Sequence, residues 1–276
     1  MTGTPSIESL RARSFGAVAA DYDRYRPRYP DQLVDDVVAM LPGRRVLEVG
    51  AGTGIATAAF AARGMAMTCV EPDPEMASVL SAKLPADADL SVAVATFEDW
   101  SAARPADAPR FDGLISGQAW HWTDPETHWT HAGAALRGGG VIALFWNDDD
   151  FADPRIAPAI TAAYGRRGIG IRPIHEEPAP SAEPDDIVIR RRPEGWPEAH
   201  AELDRIFRDL RTHVYHWTRR MSVVDYVAQL NTTSAHLVLP REVRDDMTAE
   251  LIETLTGFGD EVELTMSTEL DVAVHR

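Results

Sequence analysis

Cysteine and lysine are the scarcest residues in this chain of 276 amino acids, with one of each, Cys69 and Lys83. A single cysteine excludes an intrachain disulfide and a cysteine-based zinc cluster. Enzymes that form Schiff bases need a buried lysine amine. Because Lys83 is predicted to end a surface helix, we expect no lysine chemistry.

Long apolar runs are absent as well. No stretch approaches the roughly 20 apolar residues of a membrane-spanning helix, and residues 1–14 lack the apolar centre of a signal peptide. The formal charge of −16 opposes nucleic-acid binding, which needs a clustered basic face. We therefore expect a cytoplasmic protein with a small-molecule partner and with no nucleic-acid or membrane partner. The sequence leaves the oligomeric state open.

Apolar strands and helices alternate from Arg44 to Trp146, a pattern typical of a parallel sheet with helices on both faces. An irregular, proline-rich stretch follows, of the kind that often forms a lid over a functional site. Two alternating strands close the pattern. The predicted strands are 45–49, 65–70, 90–95, 111–116, 141–146, 212–218 and 261–274.

Three glycines, Gly50, Gly52 and Gly54, alternate directly after the first predicted strand, so that no side chain separates the backbone from an incoming ligand. A dinucleotide fingerprint reads G-x-G-x-x-G, but Ile55 stands where its third glycine would be. Glu48 would repel a pyrophosphate and attract a cation. S-adenosylmethionine (SAM) carries both a sulfonium and an ammonium group.

The segment 48–54, with the sequence Cys-Val-Glu-Pro-Asp at 69–73, resembles motif I and the acidic second-strand motif of class I SAM-dependent methyltransferases. The resemblance implies an α/β fold with a Rossmann-like sheet of seven mostly parallel strands in the order 3-2-1-4-5-7-6. It also implies four parts of one domain: an N-terminal lid helix (1–30), a SAM-binding core (31–147), an insertion or substrate lid (148–200) and a C-terminal completion of the sheet (201–276).

The same resemblance implies SAM as the cofactor, bound beyond the strand ends where the strand order reverses. Glu48 would support the SAM ammonium, directly or through water, and Glu71 would accept hydrogen bonds from the ribose hydroxyls. Met76 would flank the adenine, and Glu98, or alternatively Asp99, would bind its amino group. The predicted cofactor-binding residues are Glu48, Gly50, Gly52, Gly54, Glu71, Pro72, Met76, Phe97, Glu98, Gln118, Tyr22 and Arg26.

The loop 116–124, Ser-Gly-Gln-Ala-Trp-His-Trp-Thr-Asp, resembles the motif after strand four in small-molecule methyltransferases, including trans-aconitate-methyltransferase-like proteins. The resemblance implies that this loop faces the transferred methyl group. His121, the predicted catalytic residue, could remove a proton from an acceptor hydroxyl or amine, or could only be held by hydrogen bonds within the loop. A carboxylate acceptor would need no base. The predicted substrate-binding residues are Tyr25, Trp122, Trp146 and Asn147.

The segments 15–22 and 25–27 resemble the N-terminal lid helix of this family. Tyr22, Tyr25 and Arg26 could close over the methionyl carboxylate of SAM, or could only pack. His128 and His131 have the spacing of metal ligands on a helix, but no third ligand accompanies them, so an exposed helix face is the prediction and no metal is expected.

These features predict an enzyme that transfers the methyl group of SAM in line to an oxygen, nitrogen or carbon nucleophile of a small molecule. Three alternatives stay open. The chain could use SAM for a cyclisation or rearrangement on the same fold, it could be a SAM-sensing binding protein, or it could be an NAD-dependent dehydrogenase, which Glu48 and Ile55 disfavour.

Overall fold

The computed structural model describes residues 15–83, 89–169, 187–191 and 201–276. One mixed sheet with helices on both faces forms the molecule. Its strands are β1 (Arg45–Val49), β2 (Ala66–Glu71), β3 (Leu90–Val94), β4 (Phe111–Gly117), β5 (Leu136–Phe151), β6 (Ile187–Arg191), β7 (Phe207–Ser222) and β8 (Glu261–His275). Its α-helices are α1 (Ala19–Tyr25), α2 (Asp31–Met40), α3 (Ile55–Ala62), α4 (Pro74–Lys83), α5 (Phe97–Ala103), α6 (His128–Ala135), α7 (Ile156–Arg166), α8 (Ala201–Ile206), α9 (Val223–Leu230), α10 (Ser234–Leu237) and α11 (Arg241–Thr256).

The strands follow the order β3-β2-β1-β4-β5-β8-β7-β6. Pairing is parallel from β3 to β5, and β8 lies antiparallel between β5 and β7. The order predicted for seven strands is therefore confirmed, with β7 and β8 as the sixth and seventh predicted strands. The structure adds β6, which pairs antiparallel with β7 at the edge of the sheet.

The stretch 148–200 contains more regular structure than its sequence indicated. The fifth strand does not end at Trp146 but continues to Phe151, because these residues pair with β8 up to the partners Phe151 and Leu264. Three consecutive aspartates at 148–150 lie inside this strand, although acidic runs are typical of loops. The stretch also supplies α7 and β6.

Apolar side chains cover both faces of the sheet, as expected for a parallel core. Neighbouring residues of β1 point to opposite faces, so Val46 joins one buried cluster and Leu47 the other. The first cluster packs α2 and α3 against the sheet, and the second packs α6 on the opposite face. These two layers fix the strand ends, and with them the loops that follow the strands.

Polar caps start several helices directly after strands. The Asp73 carboxylate accepts hydrogen bonds from the N–H groups of Glu75 and Met76 at the start of α4 (2.9 and 3.2 Å). The Thr96 hydroxyl accepts one from the Asp99 N–H at the start of α5 (3.1 Å). Such caps satisfy N–H groups that the helix leaves unpaired and hold the strand-to-helix loops at the carboxyl edge of the sheet.

The glycine turn follows β1 at this edge, and β1 lies between β2 and β4. Gly50, Gly52 and Gly54 have φ angles of +69°, +56° and +80°, a left-handed conformation that favours glycine. The Gly50 N–H donates to the Val70 carbonyl at 2.8 Å, which ties the turn to β2. A Cβ built on Gly50 would overlap the Cβ of Ala119 in the loop after β4.

We predict that Gly50→Ala destabilises the protein more than Gly139→Ala. Both glycines have a positive φ (+69° and +76°), but among the described residues beyond its chain neighbours no heavy atom lies within 4 Å of a Cβ built on Gly139. The left-handed conformation costs an L-residue about 1–2 kcal/mol at either position, and the overlap with Ala119 adds about 1–3 kcal/mol for Gly50→Ala. Urea unfolding of both variants measures the difference, and equal losses would contradict the close approach of the two loops.

Candidate active site

A cavity of about 630 Å³ opens at the carboxyl ends of β1 and β4, where open α/β sheets bind their ligands. The loops after β1, β2, β3 and β4 form its walls, together with residues 15–26, here called the N-terminal segment, and residues 233–234. Among the residues predicted from the sequence, those that line it are Tyr22, Arg26, Gly50, Gly52, Glu71, Pro72, Met76, Phe97, Glu98, Gln118, His121 and Trp122.

Glu71 ends β2 with its carboxylate held by two backbone N–H groups. Gly52 donates to Oε2 at 2.7 Å, and Asp73 donates to Oε1 at 2.9 Å. Burial raises the pKa of Glu71 to about 7, although both hydrogen bonds favour the ionised form. Each carboxylate oxygen can accept more than one hydrogen bond, so Glu71 can still accept hydroxyl groups of a ligand in the cavity.

Glu48 lies beneath the glycine turn and does not line the cavity. Its side chain is buried, and its Oε2 accepts a hydrogen bond from the Thr57 hydroxyl at 2.6 Å. Burial raises the pKa of Glu48 to about 7 against this bond, and the charge of Glu71 acts in the same direction as burial. The predicted contact between Glu48 and the SAM ammonium stays a prediction, in which a water-mediated route fits this position better than a direct one.

The loop after β4 is strained at Gln118, which lies in the cavity wall with a φ of +58°. Positive φ is uncommon for residues other than glycine, and such residues are frequent at functional sites. The Gln118 N–H donates to the Phe145 carbonyl at 2.9 Å, and its Nε2 donates to the Asn147 carbonyl at 2.8 Å. These bonds to β5 hold the strained residue in place.

His121 and Trp122 follow in the short 3-10 helix Trp120–Trp122, and both line the cavity. Their ring centroids lie 4.6 Å apart. Burial lowers the pKa of His121 below its ordinary value, so the imidazole is neutral at pH 7 and able to accept a proton. None of the hydrogen bonds found among the described residues involves the His121 ring, and this argues against a ring held within the loop.

Glu98 connects two walls of the cavity. Its Oε1 accepts a hydrogen bond from the Asp124 N–H at 2.9 Å, which joins α5 to the loop after β4. Asp99, the alternative acid, is exposed and outside the cavity wall. The Asp124 carboxylate accepts hydrogen bonds from the Glu126 N–H and the Thr127 hydroxyl. Both residues precede α6, so the Asp124 side chain caps the turn before this helix and not the helix itself.

The N-terminal segment covers the cavity from the other side. The Arg26 guanidinium lies 4.9 Å from the centre of the Tyr22 ring, and its Nη2 donates to the Thr232 carbonyl at 3.2 Å. The buried Nε of Arg26 has no hydrogen-bond partner among the described residues. Arg26 thus places a cation in the cavity wall.

Five predicted site residues lie outside the cavity wall. The Tyr25 carbonyl accepts from Arg219 at 2.7 Å. Trp146 packs against the apolar cluster on the α6 face, and Asn147 contacts the cavity only through Gln118. With Glu48 and Gly54, these residues surround the walls without forming them.

Sequence reasoning missed Thr233 and Ser234, which lie more than 100 residues after the loop that follows β4 and also line the cavity. The buried His236 of α10 holds them there. Its ring nitrogens hydrogen-bond the Tyr164 hydroxyl at 2.7 Å and the Asn231 side chain at 3.0 Å. No motif marks these two residues, since small hydroxyl residues before a short helix are common. The additional lining residues are Phe15, Val49, Val70, Thr96, Gly117, Ala119, Thr123, Asp124 and Pro125.

The lining divides into two kinds of surface. Glu71, Glu98 and the glycine turn offer acceptors and open backbone, which suit the hydroxyls and amino group of a nucleoside. Arg26, His121 and Trp122 offer a cation, a neutral base and an aromatic surface.

Among residues 148–169 of the predicted substrate lid, none lines the cavity. In the described ranges, no helix is long and apolar enough to cross a membrane.

Part of the chain is similar to known methyltransferases. Residues 47–144 match the family of methyltransferase domains, and this segment contains the glycine turn, Glu71, Glu98 and His121. An uncharacterised methyltransferase of Mycobacterium tuberculosis is 40% identical over 139 residues, which are 50% of this chain and 53% of that protein. A probable SAM-dependent methyltransferase of Saccharomyces cerevisiae is 28% identical over 153 residues, or 53% and 52% of the two chains. The chain thus spans about half the length of these curated relatives.

Solved structures show the same fold. A protein of Anaeromyxobacter dehalogenans described as a type II methyltransferase superposes with a TM-score of 0.60 at 22% identity, over 91% of this chain and 98% of that one. Phosphoethanolamine N-methyltransferase 2 of Haemonchus contortus, in complex with phosphomonomethylethanolamine and S-adenosylhomocysteine, has a TM-score of 0.50 at 13% identity, over 98% of this chain and 60% of that one.

We predict that Glu48→Gln flattens the pH dependence of stability. The folded protein keeps Glu48 protonated up to about pH 7, whereas the unfolded chain ionises it near pH 4.3. The contribution of protonated Glu48 to the free energy of unfolding is therefore complete below about pH 4 and is lost as pH rises through about 7. Over this range the free energy of unfolding falls by up to about 1.4 kcal/mol per pH unit. Urea unfolding between pH 5 and 8 measures this slope. The exposed Glu253→Gln is the control, and an unchanged slope in Glu48→Gln would contradict the buried, neutral carboxyl.

Proposed function

We propose that this chain is a SAM-dependent methyltransferase that methylates a small-molecule acceptor. Residues 47–144 match the family of methyltransferase domains, and a relative with 28% identity is described as a probable SAM-dependent methyltransferase. Both similarities support the proposal. The observation that carries the proposal is the bond between the Gly52 N–H and the Glu71 carboxylate at 2.7 Å, in the wall of a cavity at the switch point of the sheet. It places open backbone and a ribose-type acceptor side by side.

The residues present fit a nucleoside with a charged amino-acid tail. A Cβ on Gly52 would lie 3.5 Å from the Met76 Cε, inside the space between the turn and α4, so the glycine leaves room for a ligand there. Glu71 would hold the ribose hydroxyls, Glu98 the adenine amino group, and Arg26 with Tyr22 the carboxylate of the tail. When bound, SAM would supply a methyl group activated by its sulfonium.

At the acceptor end, the chain's own groups would position the nucleophile and take up its proton. The methyl group would pass to an oxygen, nitrogen or carbon of the acceptor, and the proton that the acceptor loses would go to the neutral imidazole of His121. Trp122 and the N-terminal segment would keep water away from the reacting atoms, so most of the rate enhancement would come from positioning and desolvation.

The cavity volume of about 630 Å³ supports a small acceptor of the trans-aconitate-methyltransferase-like kind, because SAM itself would occupy much of that space. Typical small-molecule sites fall in the range of about 300–1,000 Å³. A SAM-sensing protein, a SAM-dependent rearrangement and a dehydrogenase are the competing outcomes of the experiments below.

We predict that Glu71→Ala raises the dissociation constants of SAM and S-adenosylhomocysteine about tenfold to a hundredfold, because hydrogen bonds to a charged group are worth about 1.5–3 kcal/mol. Titration calorimetry with SAM, S-adenosylhomocysteine and NAD tests both the proposal and the residue. Asp99→Ala, at an exposed position on α5, is the control and should bind as the wild type does. Binding of NAD but not of SAM would overturn the proposed function, and unchanged affinity in Glu71→Ala would remove Glu71 from the site.

We predict that His121→Ala lowers methyl transfer about 10²–10⁴-fold while leaving the affinity for S-adenosylhomocysteine nearly intact. A panel of hydroxyl, amine and carboxylate compounds, assayed by release of S-adenosylhomocysteine, first identifies the acceptor. Because burial lowers the pKa of His121, the wild-type rate should fall only when the pH drops below about 6.5, the ordinary histidine value. A loss below tenfold would indicate an acceptor that is already ionised.

A further inference from the structure

Gly16, Asp23, Tyr25 and Arg26 of the N-terminal segment form hydrogen bonds with other parts of the described chain. At its start, the Gly16 N–H donates to the Asp73 carboxylate at 3.0 Å. At its end, Arg26 donates to the Thr232 carbonyl at 3.2 Å. Between them, Asp23 of α1 bonds to Thr53, inside the glycine turn (2.9 Å from the hydroxyl). The segment therefore spans the cavity from the loop after β2 to the C-terminal part of the chain.

The bond at Asp23 is part of a closed triangle. The Asp23 Oδ1 accepts from both the Thr53 hydroxyl and the Lys83 ammonium, and the Lys83 Nζ also donates to the Thr53 carbonyl at 3.1 Å. The side chains of Lys83 and Asp23 are 28% and 21% exposed, so water screens this pair less than an open surface pair. The hydrogen bonds and the Lys83 charge lower the pKa of Asp23 in spite of its burial.

The triangle anchors a helix that could not hold its place alone. Helix α1 has seven residues, far fewer than an isolated helix needs to persist in water. Tyr22 and Arg26, one turn apart on α1 and its C-cap, line the cavity, and Asp23 follows Tyr22 directly. Breaking the triangle would therefore loosen the part of α1 that covers the cavity, while the bonds at Gly16, Tyr25 and Arg26 remain.

The chain's only lysine occupies this position. Lys83 ends α4 and can make both contacts because an ammonium group carries three donors on a flexible stem. Arg28 adds a second, weaker attachment, since its Nη1 lies 3.6 Å from the Asp23 Oδ1 and its Nη2 donates to the Asp23 carbonyl at 2.8 Å.

We propose that Asp23 and Lys83 are positioning residues that latch α1 over the cavity, and that opening of this latch lets the cofactor enter and the product S-adenosylhomocysteine leave. The proposal rests on the proposed function for the identity of the ligand. The latch joins α1 to Thr53, which lies between Gly52 of the cavity wall and Gly54, so the closed helix and the ordered glycine turn depend on the same contact.

Stopped-flow fluorescence of S-adenosylhomocysteine binding tests the latch. We expect Lys83→Met and Asp23→Asn to raise both the association and the dissociation rate constants about tenfold, because the same opening step limits passage in either direction. Lys83→Arg, which keeps the positive charge, should recover most of the wild-type rates. Arg220→Met breaks an exposed ion pair with Glu263 elsewhere on the surface and is the matched control. Rate constants of Lys83→Met within twofold of the wild type would overturn the proposal.

Hydrogen exchange separates failure of the latch from failure of the proposed function. In the ligand-free protein, the amides of residues 18–25 should exchange about tenfold faster in Lys83→Met than in the wild type or in Arg220→Met, whatever ligand the cavity takes. Unchanged exchange would contradict the latch. In the wild type, S-adenosylhomocysteine should slow exchange of these amides and labelling of the Lys83 amine by an N-hydroxysuccinimide ester. Failure of S-adenosylhomocysteine to bind at all would overturn the proposed function alone.

Discussion

The site depends on the two hydrogen bonds that the buried carboxylate of Glu71 accepts from backbone N–H groups. The carboxylate accepts the Gly52 N–H from the first loop and the Asp73 N–H from the second, so one side chain sets the distance between the two loops that would hold a nucleoside. Asp73 then caps α4 and accepts the Gly16 N–H. Through these bonds, the position of the N-terminal segment is fixed relative to the glycine turn.

This arrangement has an energetic cost that a ligand can offset. Burial raises the pKa of Glu71 to about 7, which means that its ionised form is only weakly favoured at neutral pH while the site holds no additional donors. Hydroxyl groups that donate to the carboxylate would stabilise the ionised form further. Ligand binding and ionisation of Glu71 would then be linked, and the same ligand would strengthen the contact between the first two loops.

Part of the cavity wall could be predicted from the sequence because its residues lie at the ends of strands or directly after them. Gly50, Gly52 and Glu71 need only the strand order to be brought together, and that order follows from the alternation of strands and helices. The side-chain directions were less accessible. Glu48 lies under the turn because alternate residues of β1 face opposite layers, and Trp146 points into the apolar cluster for the same reason on β5.

The contribution of Thr233 and Ser234, like the contact between Asp23 and Lys83, could not be predicted because it depends on contacts between distant parts of the chain. Thr233 and Ser234 reach the cavity through the long β7 and the helix after it, and Lys83 meets Asp23 across sixty residues. No local pattern encodes such contacts, since each side chain on its own is an ordinary surface residue. For that reason the chain's sequence identifies the cofactor class far more readily than the molecule that would be methylated.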